Sequence, residues 1–410
     1  MTDFQLAAIV LSLTASLAYV NAKLLRLPSS VGLMAIALVG SFLLLALEQL
    51  GVDVSHHARA VVTELDFSST LLHGMLGLLL FAGALHLDVA ALGADKLAVA
   101  ALALGGTLLS TLLVGGAIHL VLHAIGVPIP MIDALLFGAL ISPTDPIAVL
   151  GVLKSVAAPR ELETRIAGES LFNDGIGVVV FTAVAAIAGG HSIGAGDIAT
   201  LFVREALGGA AFGFATGYLA YRLVRSIDDY TVEVLITLAL VLGGYAAAEA
   251  LGVSAPLAAI VAGLVIGHRG PAVMSDQTRL YLGSFWKLVD EVLNAVLFML
   301  IGITILVLPF HPGMLSAGLL AIPIVLAARW LSVALPLTAL ARFRARTPHS
   351  ITLLTWGGLR GGLSIAMALS LPTSTGRDLI VGMTYAVVAW SILVQGMTFG
   401  PLLRRLERRA

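Results

Sequence analysis

The sequence contains no cysteine, which excludes disulfides, thiolate metal sites and thiol catalysis. Charged residues make up only 11% of its 410 positions and aromatic residues 6%, whereas about a quarter of a soluble domain is charged. A net charge of −1 offers no basic surface for nucleic acid. In contrast, 59% of the residues are hydrophobic. We therefore predict that most of the chain lies in a lipid bilayer.

Thirteen apolar segments are suited to crossing a bilayer, which takes about 20 residues per helix. They are residues 4–20, 31–47, 69–87, 97–122, 131–153, 168–189, 198–223, 231–250, 255–268 (a short one), 286–308, 314–337, 350–371 and 378–402. The connectors between them are short, so we expect a single all-α membrane unit without a soluble regulatory domain.

Most of the 23 lysines and arginines fall on one side of this arrangement. If the C-terminus is cytoplasmic, the outer loops contain only Arg59, Arg204 and Arg377, while Arg329 and Arg360 lie within spans. Positive charge concentrates in cytoplasmic loops. The sequence therefore predicts a multi-pass protein of the cell membrane with its C-terminus in the cytoplasm and its N-terminus outside.

The fifth span contains a break, in the stretch GALISPTDPIAVLGV at residues 138–152. Pro143 and Pro146 remove two backbone donors and reject a continuous helix, with Thr144 and Asp145 between them. Irregular backbone at membrane depth persists only where protein buries it or where it lines a wet cavity. We therefore expect two half-helices whose ends point at a common site.

The twelfth span contains a second break, in WGGLRGGLSIAMAL at residues 356–369, where four glycines surround Arg360. Spans five and twelve occupy equivalent positions if spans 1–6 and 8–13 are two repeats of inverted topology. Matching interrupted segments in two halves point to a transporter's binding site near the bilayer midplane. The two breaks therefore mark the expected binding site.

The sixth span places its polar residues on one face. At about 100° per residue, Glu169, Ser170, Asn173, Asp174 and Gly177 share one sector of the helix. An acid inside a bilayer is costly, and it is therefore rare and usually functional. This face is predicted to meet the broken fifth span.

These residues supply the oxygen ligands that hard monovalent cations prefer: Thr144, Asp145, Ser170, Asn173 and Asp174. Burial disfavours the charged form of a carboxylate, so the same groups can take up protons. A carboxylate that holds either a proton or a cation couples their movements by competition. Na⁺, Li⁺ and K⁺ all suit such ligands, and no cofactor is implied.

Glu169 is predicted to have a structural role. Arg360 is a buried cation, and a buried cation without a counter-charge is strongly destabilising. We expect Glu169 and Arg360 to form an ion pair that links span six to the break in span twelve.

Three motifs together, SPTDPIAVLGVLK, GESLFNDGIGVVVF and GGLRGGLSIAMALSLP, resemble those of the monovalent cation:proton antiporters of the NhaP/NHE type. The resemblance covers nearly the whole chain. It implies an NhaA-like fold of two inverted six-helix repeats with crossed discontinuous helices, and a homodimer that works by an elevator motion. It also implies a mobile core, at about residues 97–189 and 314–403, and a dimerisation part at about 4–87 and 198–308.

The same resemblance implies that Asp174 is the main cation and proton carrier, surrounded by Asp145, Thr144, Ser170 and Asn173. The Asn173-Asp174 pair, where electrogenic relatives have two aspartates, implies electroneutral exchange of one cation for one proton. Some relatives place a further acid from the third span near the ion. At the corresponding position this chain has Ala82.

Other classes of membrane protein remain as alternatives. A cation-coupled symporter for a small organic solute also uses broken helices and midplane acids, but it needs a larger, partly aromatic pocket. A channel is disfavoured because no filter sequence is apparent. An intramembrane serine enzyme is disfavoured because Ser170 lacks the following glycine of a nucleophile elbow, and we expect no enzymatic activity.

Overall fold

The computed structural model describes residues 2–50, 59, 62, 64, 66–155, 160–189, 195–308, 312–340, 349–372 and 376–408. In these ranges, ten helices are long and apolar enough to cross a membrane. The prediction of an all-helical, polytopic membrane protein is therefore confirmed.

The first half of the chain forms eight helices among the described residues. They are α1 (Asp3–Val20), α2 (Ser29–Gln49), α3 (Leu76–Leu85), α4 (Val89–Ala100), α5 (Thr107–Ala124), α6 (Met131–Ile141), α7 (Ile147–Ser155) and α8 (Arg160–Ala188). The turn Phe67–Ser69 and the π-helical turn Thr70–Met75 precede α3, and the π-helical turn Ala101–Gly106 joins α4 to α5.

The second half continues this pattern. Its helices in the described ranges are α9 (Ala195–Val224), α10 (Tyr230–Ala250), α11 (Ala255–Arg269), α12 (Asp276–Thr304), α13 (Pro312–Leu340), α14 (Ser350–Gly357), α15 (Gly362–Leu369), α16 (Arg377–Trp390) and α17 (Gly396–Glu407). The π-helical turn Ser391–Gln395 joins α16 to α17.

Each predicted span coincides with one helix or with a pair of consecutive helices. The fifth is divided into α6 and α7, and the twelfth into α14 and α15, so both predicted breaks are present. The isolated antiparallel bridge between Asp145 and Leu359 joins the two breaks. The two breaks therefore meet at one point, which we call the crossing, while crossed broken helices, thirteen membrane passages and two inverted repeats stay predictions.

Small residues set the spacing between α9 and α11. A β-carbon added at Gly209 or Gly213 would collide with the backbone of Ser254 or Ala258, respectively. Small residues at four-residue spacing let helix backbones approach closely in membranes. This close contact holds α9 against α11.

Candidate ion-binding site

Local chemistry divides the fifth span as expected. Pro143 and Pro146 have no N–H, so α6 ends at Ile141 and the chain is extended until Ile147. The Asp145 carboxylate accepts a hydrogen bond from the Ile147 N–H at 3.0 Å, as the carboxylate of a helix N-cap does. Asp145 thus starts α7 and also faces the site.

The two unwound segments satisfy each other's backbone groups. The Asp145 N–H donates to the Leu359 carbonyl at 2.8 Å. The Arg360 guanidinium donates to the carbonyls of Ser142 and Pro143 at 2.5 and 3.0 Å. A cation is favourable at the C-terminal end of a helix, where carbonyls lack donors. Arg360 therefore compensates the break that the prolines create at the end of α6.

The π-helical turn after α16 supports Arg360 from the other side. The Arg360 N–H donates to Ser391 Oγ at 3.0 Å, and Ser391 Oγ donates to Gln395 Oε1 at 2.8 Å. Gln395 Nε2 then donates to the Trp356 carbonyl at 3.1 Å, near the end of α14. Local π-helical geometry is frequent at functional sites, and here it brings two polar side chains to the second break.

The predicted partner of Glu169 is wrong. Glu169 forms a two-pronged ion pair with Arg329 of α13, whose second nitrogen lies 3.0 Å from Glu169 Oε2. Arg329 also donates to the Leu354 carbonyl at 3.0 Å. The reason is that Arg360 is already bound to backbone carbonyls, whereas the Arg329 fork faces the carboxylate. The buried charge on α8 is therefore compensated from α13, and Glu169 links α8 to α13 rather than to the break.

Thr144 is held by the polar face of α8. Its N–H donates to Asn173 Oδ1 at 3.1 Å, and its hydroxyl accepts from Asn173 Nδ2 at 2.9 Å. Its carbonyl accepts from the Ser170 hydroxyl. Because both ends of the Asn173 amide are bound to Thr144, Asn173 positions the unwound segment.

A cavity of about 180 Å³ lies at this crossing. Thr144, Asp145, Ser170 and Asp174 line it, while Asn173 does not. Asp145 and Asp174 are half-buried and share this cavity. The structure therefore brings together the predicted residues of spans five and six at one cavity, with Asn173 one step removed.

Two glycines make this close approach possible. A β-carbon at Gly361 would press against the Asp145 carboxylate, and one at Gly177 would overlap the Pro143 ring. The space beside Gly177 is therefore filled by the Pro143 ring.

Sequence reasoning missed four polar residues at or near this site. Arg329 binds Glu169, and Asp290, Asn294 and Ser364 line the cavity. The buried Ser364 hydroxyl has no hydrogen-bond partner within the described part of the chain. The signals were present as polar residues inside apolar spans, but which of them face each other depends on packing.

The third span contributes an apolar wall. Ala82 packs in a cluster with Phe81 and Trp286 and does not line the cavity, whereas Leu80 and Gly83 do. The positions of this span that face the site therefore include Leu80 and Gly83 but not Ala82.

In chemical terms, the site combines two carboxylates with hydroxyl and backbone oxygens at membrane depth. These are hard ligands suited to a monovalent cation. The glycines and prolines at the breaks have no polar side chain that would compete with the cation for these ligands. Carboxylates that repel each other also favour the uptake of a positive charge, whether a cation or a proton. The arrangement can therefore hold a cation and a proton in alternation.

Comparison with known proteins places these features in context. The family model described as "Sodium/hydrogen exchanger, transmembrane" matches residues 10–405. The chain is 47% identical over 408 residues to the Na⁺/H⁺ antiporter NhaP of Pseudomonas aeruginosa, covering 98% of this chain and 96% of that protein. It is 35% identical to the Na⁺/H⁺ antiporter NhaH of Halobacillus dabanensis, with coverage of 94% and 93%.

A solved structure shares the fold. The sodium proton antiporter MjNhaP1 of Methanocaldococcus jannaschii at pH 8 superimposes with a TM-score of 0.76 over 97% of both chains, at 20% sequence identity. At that identity the likeness concerns the fold.

Proposed function

The chain belongs to the family of transmembrane sodium/hydrogen exchangers, and on this premise we propose that it exchanges Na⁺ for H⁺ across the cell membrane. The observation that carries this proposal is the cavity at the crossing of the two broken helices, which Asp145 and Asp174 both line. Two relatives that align with almost the whole chain are named Na⁺/H⁺ antiporters. Such exchange would serve pH and sodium homeostasis.

Competition between the cation and the proton for one carboxylate couples their transport. Asp174 carries either the cation or the proton, because a bound cation and a bound proton neutralise the same charge. Asp145, the Thr144 segment and the Ser170 hydroxyl complete the cation's oxygen shell. Asn173 holds Thr144 in place. Li⁺ or K⁺ can be tested as further transported cations, since the same oxygen ligands suit them.

The exchange is electroneutral, with one cation for one proton. Asn173 is neutral and carries no proton, and the charge of Glu169 is compensated by Arg329. If Asp145 keeps its charge throughout, the site has the same net charge with either substrate. The membrane potential then does no work on the cycle.

Alternating access follows from a division into two parts. The core comprises about residues 97–189 and 314–403 and moves as an elevator against a dimerisation part of about 4–87 and 198–308. This division is supported by the cavity, which is lined by α8 and the breaks from the proposed core and by α3 and α12 from the proposed dimerisation part. The active unit is a homodimer, with cytoplasmic C-termini and N-termini outside.

The alternative of a symporter for a small organic solute finds no support. The aligned relatives are named antiporters. The described residues that line the cavity include no aromatic side chain, although an organic solute usually binds in a pocket with aromatic and apolar walls.

Purified protein in proteoliposomes tests this function. A preset pH gradient should dissipate when NaCl is added and should not require any organic solute. The apparent KM for Na⁺ should rise by about tenfold for each unit of pH decrease on the acidic side, because binding of the cation requires loss of the proton. A KM independent of pH, or flux only in the presence of an organic solute, would contradict the proposal.

A further inference from the structure

Two polar residues of α12, one helical turn apart, line the cavity. They are Asp290 and Asn294. Asn294 Nδ2 donates to Asp290 Oδ1 at 3.0 Å. α12 belongs to the proposed dimerisation part, whereas α8 and the breaks belong to the proposed core.

The Asn294 amide has one unused acceptor. Its side chain is only 5% exposed, and its Oδ1 has no hydrogen-bond partner among the described residues. The bond to Asp290 occupies the donor end of the amide, which leaves the oxygen as the unsatisfied end. A buried acceptor without a donor is unfavourable, and a cation that enters the cavity can satisfy it.

The residues of α3 that line the cavity do not compete for a cation. They are Leu76, Leu79, Leu80 and Gly83. Among the described lining residues of α3 and α12, Asp290 and Asn294 therefore provide the polar groups, and these are the two oxygen types, carboxylate and amide, that hard cations accept.

Asp290 and Asp145 line the same cavity. A cleft lined by one sign of charge with apolar walls focuses the electric field and raises the local concentration of the opposite charge. A cation in the cavity is therefore attracted by both carboxylates.

We propose that Asp290 and Asn294 form a second cation-binding station, from which the cation passes to Asp145 and Asp174. This station rests on the proposed cation/proton exchange at Asp174 and adds to it a group on the other part of the protein. It holds the cation through Asn294 Oδ1 and the Asp290 carboxylate before the cation reaches the core. The station determines how readily cations are captured and does not carry protons through the cycle.

Variants in proteoliposomes test the station with NaCl as the substrate. Asp290→Asn removes the charge, and Asn294→Leu removes the amide oxygen at similar size. Each should raise the KM for Na⁺ by about tenfold while the maximal rate stays within about twofold, because the capture step is weakened and the carrier is intact. Glu291→Gln is the matched control, since Glu291 is the exposed neighbour that pairs with Lys287 at 3.9 Å, and its KM should not change.

Measurements at different ionic strengths distinguish the contribution of the Asp290 charge from that of the Asn294 amide oxygen. Added choline chloride should reduce the effect of Asp290→Asn on KM, because salt screens the attraction, and should leave that of Asn294→Leu unchanged. If either variant fails to fold, the other carries the test. An unchanged KM in a folded variant, or loss of the maximal rate at unchanged KM, would overturn the station. Asp174→Asn distinguishes the two levels: if it is inactive while the α12 variants have normal KM, only the station is wrong.

Discussion

The Asp145 amide donates to the Leu359 carbonyl at 2.8 Å and thereby joins the two broken helices at their crossing. The same residue directs its carboxylate at Ile147 N–H and into the cavity. The backbone that joins the two breaks therefore includes a residue of the proposed ion site. A change in either broken helix is expected to displace the Asp145 carboxylate.

The ion pair between Glu169 and Arg329 should stabilise the fold. Glu169→Gln or Arg329→Gln alone should lower the free energy of unfolding by about 3–5 kcal/mol, because each leaves a buried charge uncompensated. The double variant should lose less than the sum of the two. Denaturant unfolding of the purified protein in detergent measures this coupling.

The double variant Glu169→Gln with Arg360→Gln, together with its two single variants, serves as the comparison for that coupling measurement. Arg360 binds carbonyls rather than Glu169, so its coupling to Glu169 should be the smaller of the two. A larger coupling to Arg360 than to Arg329 would contradict the observed pairing.

Arg360 should be needed for the break itself. Arg360→Gln deprives the carbonyls of Ser142 and Pro143 of their donors and should lower the free energy of unfolding by about 1–3 kcal/mol. Arg279→Gln is the control, because Arg279 is exposed and pairs with the exposed Asp276, and it should change stability by less than about 1 kcal/mol. Equal unfolding curves for both variants would refute this role of Arg360.

The sequence allowed some of these features to be predicted. The break at Pro143 and Pro146 follows from local chemistry, since two residues without N–H groups only three positions apart strongly disfavour a continuous helix. The polar face of α8 follows from helical periodicity. Both predictions needed no knowledge of tertiary packing.

Other features depend on packing and were therefore missed. Two arginines lie within spans, and only the fold determines that Arg329 rather than Arg360 faces Glu169. Asp290 and Asn294 are spaced by one helical turn in an apolar span, a signal that was available. Their position at the same cavity as Asp145 depends on the way α12 packs against the crossing.

A methyl group at Gly361 should disturb the ion site. It would press on the Asp145 carboxylate, and a small displacement of a ligand can reduce a rate by about a hundredfold. Gly361→Ala should therefore lower the rate of Na⁺/H⁺ exchange while the protein remains folded. Gly151→Ala in α7 is the control, because its β-carbon would meet no atom within 4 Å. Equal exchange rates for the two variants would show that the space beside Asp145 is not required.

The membrane potential should not affect the steady state. Proteoliposomes with a potential set by potassium and valinomycin, and with Na⁺ or Li⁺ as substrate, provide the measurement. Each net charge moved would contribute about 2.3 kcal/mol per 100 mV, which is easily detected. A final cation gradient that follows only the pH gradient is expected. A gradient that changes with the imposed voltage would mean that more than one proton moves per cation.

Replacement of Asp174 by asparagine tests the central claim most directly, because it keeps the shape of the side chain and removes the titratable charge. Asp276→Asn, at a carboxylate that is 98% exposed, controls for the same chemical change elsewhere. Initial rates of Na⁺-driven pH dissipation should be compared in proteoliposomes that contain equal amounts of folded protein. We predict that Asp174→Asn gives no exchange above protein-free liposomes, while Asp276→Asn exchanges normally. Exchange by Asp174→Asn at the rate of the unaltered protein would contradict the account.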